Sequence, residues 1–150
     1  MSADPPRQFV DTNVLVYAYD SSAGIKHEIA RQLISELWLA STGCLSIQIL
    51  QEFYVVTTRK VAKAQPGEAV AWMRDLAKWR IFRPTEVDVL AAIDLHLLHQ
   101  ISFWDAMIVH SAQELGCSTL WSEDLNHAQV IGGVTIRNPF LETRAPSAHS

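Results

Sequence analysis

The sequence predicts a three-layer α/β/α fold with a mostly parallel central sheet. Short extended segments alternate with helical segments of ten or more residues, which is the pattern of βαβ units. The 150 residues are 49% hydrophobic, enough for one domain with a core on both faces of a sheet. We therefore expect a single domain over residues 1–150, with an ordered core at about 7–140 and frayed termini.

The first strand and the first long helix are predicted near the N-terminus. A strand over Gln8–Val10 ends at Asp11, because Asp11, Thr12 and Asn13 are residue types that stop strands and cap helices. Over residues 25–38, apolar residues recur at spacings of three and four, which predicts a helix with one buried face.

A second strand and helix follow directly. The segment GCLSI, residues 43–47, reads as a short strand, and Ser46 is a plausible cap for a helix over residues 47–60. The predicted inward face of that helix consists of Ile49, Leu50, Phe53 and Thr57. Glu52 lies beside this inward face.

The middle of the chain predicts two more helices and a short strand. Pro66 suits the first turn of a helix over residues 66–79, and Ile81 and Phe82 form a short extended piece. Residues 85–88 have the spacing of a capping box before the amphipathic run that ends at His96 and His99.

The last third predicts a helix and two strands. The stretch SFWDAMIVHSAQELG, residues 102–116, is amphipathic, with Asp105 in its first turn and Gly116 at its end. The strands CSTLW and VTIR, residues 117–121 and 134–137, are separated by a polar turn in SEDLNHA, residues 122–128.

Four acidic residues are predicted to meet at one edge of this sheet. Asp11 ends the first strand and Asp124 closely follows strand 117–121, and ligands of parallel sheets bind beyond the carboxyl ends of the strands. Asp105 joins them if its helix starts at that edge. Glu52, about one and a half turns into its helix, can reach back with its longer side chain.

Such a group of carboxylates requires a cation. Like charges in one cleft repel and raise one another's pKa unless they are neutralised. Oxygen ligands without clustered cysteine or histidine indicate Mg²⁺ or Mn²⁺ rather than zinc. Cys44 and Cys117 lack the close pairing of zinc ligands and are expected to be buried free thiols. His96 and His99 fit a helix end better than a metal pair.

Each acid also has an ordinary structural explanation. Asp11 is a typical strand-ending turn residue, Asp124 suits a loop, and Glu52 suits an exposed helical position. Ser102 and Asp105 have the spacing of a helix cap. Their joint position at strand ends and helix starts favours a shared site.

The motifs around these acids, taken in order, resemble those of PIN-domain ribonucleases, in particular VapC-type toxins of bacterial toxin–antitoxin pairs. The matching segments are VDTNVL at 10–15, QEF at 51–53, FWDAMIV at 103–109 and LWSEDLNHAQ at 120–129. GGVTIRNPF at 132–140 is similar to the end of that family. The resemblance implies a metal-dependent endoribonuclease that cleaves RNA by water attack, that a small cognate antitoxin silences, and that forms a homodimer.

Residue by residue, the resemblance assigns the acidic roles to Asp11, Glu52, Asp105 and Asp124, with Thr12, Asn13 and Ser122 as supporting polar groups. Asp11 and Asp105 would hold the metal most directly. Glu52 and Asp124 would bind a second ion or orient the attacking water. Glu123 is adjacent to Asp124 and is an alternative for its role.

Charge and hydropathy fit an RNA-binding, cytoplasmic protein. The net charge is −4, but without the four site acids the remaining acids equal the Lys and Arg residues in number. Two basic groups are candidates for phosphate contacts, Arg59, Lys60 and Lys63 or Arg74, Lys78, Arg80 and Arg83, although such runs are more often simply solvated surface. The segments are too short and polar for a membrane span, and the N-terminus MSADPPRQ is unlike a secretion signal.

Two other functions compete with this one. A phosphatase of the haloacid-dehalogenase type also places an acid after its first strand, but it requires Asp-x-Asp where this chain has Asp11-Thr12-Asn13. A binding module would keep the fold and do no chemistry. For the antitoxin, we expect an amphipathic helix to dock in a groove between the apolar helices at residues 25–38 and 47–58.

Overall fold

A computed structural model describes residues 5–61 and 65–142, which form six strands and six α-helices. The strands are β1 (Arg7–Val10), β2 (Gly43–Ser46), β3 (Arg80–Phe82), β4 (Cys117–Trp121), β5 (Val130–Ile131) and β6 (Val134–Arg137). The helices are α1 (Thr12–Tyr19), α2 (Ile25–Ala40), α3 (Ile47–Lys60), α4 (Pro66–Leu76), α5 (Glu86–His99) and α6 (Phe103–Glu114). A 3₁₀ turn, Ser21–Ala23, precedes α2.

The strands form one sheet in the order β3-β2-β1-β4-β6-β5, and each neighbouring pair is parallel except β5 with β6. β1 and β4 lie side by side at its centre, with Val10 opposite Trp121. Both strands therefore end at the same level, and the residues that follow them, Asp11 and Ser122, become neighbours.

Helices cover the sheet on both faces. Phe9 and Val10 are successive residues of β1, so their side chains point to opposite faces, and both are fully buried. On the helical layers, α1 packs against α2 and α3, whereas α5 packs against α6, which lies on β2 and β4. The predicted three-layer fold with a mostly parallel sheet is confirmed.

The first helix is the main element that the sequence analysis did not identify. α1 begins directly after Asp11, which caps it by accepting a 2.7 Å hydrogen bond from the Thr12 N–H. Its β-branched and aromatic residues, such as Val16 and Tyr17, favour strands by local propensity. Packing against α2 and α3 overrides that preference and buries Val14 and Leu15 completely.

The helices whose first turn carries a polar cap begin where the sequence predicts. α3 spans the predicted residues, and Ser46 Oγ accepts a hydrogen bond from the Ile49 N–H at 3.3 Å. The capping box of α5 is present, with Asp88 Oδ2 accepting from the Thr85 N–H at 2.8 Å. The start of a helix is thus encoded by a few adjacent residues.

Other predictions concern the cysteines and the membrane. Cys44 and Cys117 are buried free thiols, as expected.

Within the described ranges, no helix is long and apolar enough to cross a membrane. The predicted frayed ends at residues 1–4 and 143–150, and the candidate phosphate contact Lys63, lie outside the described residues.

Candidate active site

The buried carboxylate of Asp11 lies where β1 passes into α1. Its Oδ1 accepts the Thr12 N–H at 2.7 Å, and its Oδ2 accepts the Ser122 hydroxyl at 2.8 Å. The backbone N–H of Asp11 also donates to the Trp121 carbonyl at 2.9 Å, which extends the β1–β4 pairing by one step. Asp11 is only 4% exposed. The end of the central strand pair therefore holds this carboxylate in one orientation.

Burial raises the pKa of Asp11 to about 7, because a desolvated carboxylate is costly to ionise. The hydrogen bonds from Ser122 and Thr12 lower this pKa, whereas the negative charges of Glu52 and Asp124 raise it further. A cation beside Asp11 would favour the ionised form. The electrostatics of the site thus create a place for positive charge.

Glu52 approaches from α3. Its Oε1 accepts a 2.7 Å hydrogen bond from Gln48 Nε2, one turn earlier on the same helix. Thr12 Oγ1 donates a longer 3.4 Å bond to Oε2 of Glu52. Gln48 Nε2 also lies 3.4 Å from the Trp104 carbonyl oxygen at the start of α6. Gln48 therefore orients Glu52 and connects α3 with the helix that carries Asp105.

Asp105 lies in the first turn of α6. Ser102 caps this helix, since its Oγ accepts the Asp105 N–H at 3.0 Å. Among the described residues, the Asp105 carboxylate itself has no hydrogen-bond or ion-pair partner. Capping is thus done by the serine hydroxyl, and the carboxylate is left to face the cavity.

The loop after β4 carries Asp124. Asn13 Nδ2 donates to Asp124 Oδ2 at 2.9 Å, and Asn13 Oδ1 accepts the Glu123 N–H at 3.2 Å. The Ser122 hydroxyl, which donates to Asp11, also accepts the Asp124 N–H at 3.2 Å. Asn13 and Ser122 therefore fix the loop on the end of β1.

Glu123 points elsewhere. Its carboxylate accepts a 2.9 Å hydrogen bond from the Tyr17 hydroxyl and forms an ion pair with Lys26 on α2. Glu123 does not line the cavity, whereas Asp124 does. Of the two adjacent acids, Asp124 is the one that faces the site.

One cavity of about 390 Å³ unites the four acids, and we call it the acidic cleft. It is lined by Asp11, Thr12, Asn13, Val16, Tyr17, Asp20, Gln48, Glu52, Val56, Lys60, Val61, Trp104, Asp105, Ile108 and Asp124. Ser122 lies beneath it, bonded to Asp11.

The carboxylates surround the acidic cleft rather than touching one another. Among the described residues, the one group of three or more potential metal ligands with all ligand atoms within 4.8 Å lies elsewhere, at Asp88, His110 and Glu114. Four acids with oxygen-bearing neighbours nevertheless suit a hard divalent cation. The donor set and the raised pKa of Asp11 fit the expected metal.

The basic residues divide between the acidic cleft and the rest of the surface. Lys60, at the end of α3, lines the acidic cleft. None of the second predicted group lines it: Lys78 pairs with Asp75 at 3.5 Å, while Arg80 and Arg83 donate to nearby backbone carbonyls. Lys60 is therefore the one candidate among the described residues that lines the acidic cleft.

Sequence reasoning missed Gln48 and Trp104. Gln48 precedes Glu52 by four residues, so helical spacing alone was a signal for their contact. Trp104 is 65% exposed at the edge of the acidic cleft, and no sequence signal pointed to this position, since tryptophans are usually largely buried.

A parallel α/β sheet whose central strands end in an acid-lined cleft defines a class of Rossmann-like proteins that act on ligands at the carboxyl edge. Within that class the family is specific: residues 9–132 match the PIN domain, and the chain belongs to that family. The resemblance seen in the sequence is confirmed.

Several solved structures share the fold. A toxin–antitoxin complex from Klebsiella pneumoniae matches with a TM-score of 0.67 at 17% identity, covering 88% of this chain and 97% of that one. VapC20 from Mycobacterium tuberculosis, a Sarcin-Ricin loop cleaving toxin, matches with a TM-score of 0.62 at 20% identity, covering 78% and 91%. FitAcB from Neisseria gonorrhoeae matches with a TM-score of 0.62 at 15% identity, covering 90% and 99%. No curated protein matches significantly by sequence.

Proposed function

We propose that the protein is a metal-dependent endoribonuclease that hydrolyses RNA phosphodiester bonds and acts as the toxin of a toxin–antitoxin pair. The observation that carries this proposal is the buried Asp11, whose pKa is raised to about 7 in a cleft shared with three other acids. With its pKa near neutrality, Asp11 is only partly ionised at neutral pH, and a bound cation would favour its ionised form. Membership of the PIN family supports the same reading.

Asp11 and Asp105 would hold the metal, with Glu52 and Asp124 binding a second ion or orienting the attacking water. A bound Mg²⁺ or Mn²⁺ would supply an activated water and charge stabilisation at the phosphorus, the two requirements of phosphodiester hydrolysis. The four acids come from four separate segments of the chain. The fold thus brings together ligands that are distant in sequence.

The polar neighbours would keep these acids in place. Ser122 and Thr12 orient Asp11, Asn13 orients Asp124, and Gln48 orients Glu52. Held carboxylates need no reorganisation when the substrate arrives, which is the main source of electrostatic catalysis.

Two residues of the acidic cleft have the chemistry to contact RNA. Lys60 offers a positive charge for a phosphate, and the exposed ring of Trp104 offers a stacking surface for an unpaired base. RNA is preferred to DNA as the proposed substrate because VapC20, which has the same fold, is described as cleaving the Sarcin-Ricin loop. This substrate assigns the proposed activity to the cytoplasm.

An antitoxin is the proposed protein partner, since the similar structures include toxin–antitoxin complexes. A second candidate for its docking place, besides the expected groove between residues 25–38 and 47–58, is an apolar cavity between α2 and α4. It is about 200 Å³ in volume and is lined by Ile34, Trp38, Trp72, Asp75 and Leu76. α1 packs against both α2 and α3, which favours the cavity between α2 and α4 as the proposed docking groove.

We propose that two copies of the chain form a homodimer through α5, the helix that packs against α6. α5 exposes the apolar residues Val87, Leu90, Ile93 and Leu97, spaced three or four positions apart along one stripe. A contiguous apolar stripe of this kind is typical of a protein interface.

The activity is tested by incubating the purified protein with end-labelled RNA, DNA of the same sequence and p-nitrophenyl phosphate. Each substrate is tested with Mg²⁺, with Mn²⁺ and with EDTA. We expect RNA fragments only with metal, and no phosphatase activity. Intact RNA under all conditions would favour the silent binding module, and metal-dependent release of nitrophenol alone would favour the phosphatase.

A further inference from the structure

A second group of potential metal ligands lies between α5 and α6, outside the acidic cleft. His110 Nε2 is 2.7 Å from Asp88 Oδ1 and 3.7 Å from Glu114 Oε1. The three ligand atoms all lie within 4.8 Å of one another. His110 is only 7% exposed, so its imidazole is held between the two helices.

The imidazole of His110 can donate a hydrogen bond to only one of the two carboxylates. Nε2 of an imidazole carries at most one hydrogen, and the shorter distance directs it to Asp88. Glu114 then receives no hydrogen bond from the ring. Glu114 is also the last residue of α6, where the partial negative charge of the helix end disfavours an acid. Two carboxylates beside one imidazole therefore leave negative charge that a cation would neutralise.

The geometry suits a small cation with mixed ligands. His110 and Glu114 are one helical turn apart on α6, and Asp88 approaches from the first turn of α5. Zinc bonds of about 2.0–2.1 Å in a tetrahedral site hold neighbouring ligand atoms roughly 3.3 Å apart. To reach that spacing, the Asp88 oxygen would move away from His110 Nε2 and the Glu114 oxygen would move toward it, each by a fraction of an ångström.

The surroundings restrain two of the three ligands. The other Asp88 oxygen, Oδ2, accepts the Thr85 N–H at 2.8 Å, which fixes the carboxylate. The Phe82 ring packs edge-on against the His110 imidazole at 5.9 Å between centroids. The Glu114 side chain is 53% exposed, so it is free to adjust and leaves access for a water ligand.

We propose that Asp88, His110 and Glu114 bind one Zn²⁺ ion that fastens the start of α5 to the end of α6. A nitrogen ligand combined with carboxylates favours zinc over the hard cation expected in the acidic cleft. The ion is structural, and it stabilises the helix that carries Asp105 at its other end.

The test uses a double variant, Asp11→Asn with Asp105→Asn, which removes the two residues proposed to hold the metal most directly in the acidic cleft. Calorimetric titration with ZnCl₂ should give one equivalent bound, and Zn²⁺ should raise the melting temperature. Adding Glu114→Gln should weaken the Zn²⁺ affinity by about tenfold or more and remove most of that rise. Glu114 is exposed, so this substitution should leave the metal-free fold intact.

Glu86→Gln is the matched control, because Glu86 is an exposed acid in the first turn of α5 that lies outside the ligand group. It should bind Zn²⁺ as the double variant does. The proposal is overturned if the double variant binds no Zn²⁺, or if Glu114→Gln and Glu86→Gln bind it equally well. Since the double variant lacks two acids of the cleft, neither outcome depends on whether the protein cleaves RNA.

Discussion

Ser102 Oγ accepts the backbone N–H of Asp105 at 3.0 Å, and the carboxylate of Asp105 lines the acidic cleft without taking part in that cap. The two residues therefore have separable tasks. The serine fixes where α6 begins, and the helix start carries the acid to the edge of the sheet where Asp11 lies.

Ser102→Ala should lower the free energy of unfolding by about 1 kcal/mol, because the cap hydrogen bond is lost. Cleavage per folded molecule should remain. Asp105→Asn should do the reverse, with metal-free stability equal or higher and cleavage lost, because it removes a negative charge from the acidic cleft. Metal-free melting curves and initial cleavage rates with metal measure both effects. A destabilised Asp105→Asn protein that still cleaves RNA would mean that the carboxylate is only part of a cap.

The pKa of Asp11 predicts how stability depends on pH without metal. The unfolded chain releases this proton near pH 4, at roughly the ordinary pKa of aspartate, whereas the folded protein retains it until about pH 7. Between these pH values the folded state binds a proton at Asp11 that the unfolded chain has released. The contribution of this proton to the free energy of unfolding is complete below the unfolded pKa and is lost as the pH rises through 7.

Asp11→Asn should remove that pH dependence. In urea unfolding with EDTA, the wild type should lose more stability than Asp11→Asn when the pH is raised from roughly 5 to 8. Asp75→Asn, at an exposed position on α4, is the control and should follow the wild type. Equal pH dependence in all three proteins would show that Asp11 ionises normally in the fold.

Glu123 and Asp124 should respond differently to loss of charge. Glu123→Gln breaks the partly exposed ion pair with Lys26, so we expect a stability loss of about 1 kcal/mol and cleavage close to wild type. Asp124→Asn keeps an acceptor for Asn13 but should reduce cleavage on the order of a hundredfold. Parallel cleavage assays test this, and the opposite ranking would assign the fourth acidic role to Glu123.

Leu90→Asp on α5 should convert the proposed dimer to a monomer, since a charge would be buried in the apolar stripe. Leu39→Asp, at an 84% exposed leucine on α2, is the matched control and should stay dimeric. Light scattering after size exclusion gives the mass of each. A monomeric wild type, or dimers of both variants, would exclude α5 as the interface.

Local signals predicted the parts of the fold that depend on adjacent residues. Ser46 and the apolar spacing after it were sufficient to define α3. The acids were predictable because strand ends indicate the carboxyl edge. α1 was missed because its residues prefer strands until tertiary packing buries them. The contact between Gln48 and Trp104 forms only where α3 meets α6, so no short segment of the sequence encodes it.

The central claim is that the acidic cleft cleaves RNA with a metal held by Asp11, and the most direct test is the cleavage rate as a function of Mn²⁺ concentration. The wild type should be inactive in EDTA, and its rate should rise to a plateau with Mn²⁺. Asp11→Asn, with an unchanged circular dichroism spectrum, should be slower by about a hundredfold or more at every concentration. Undiminished cleavage by folded Asp11→Asn, or a wild-type rate independent of metal, would contradict the claim.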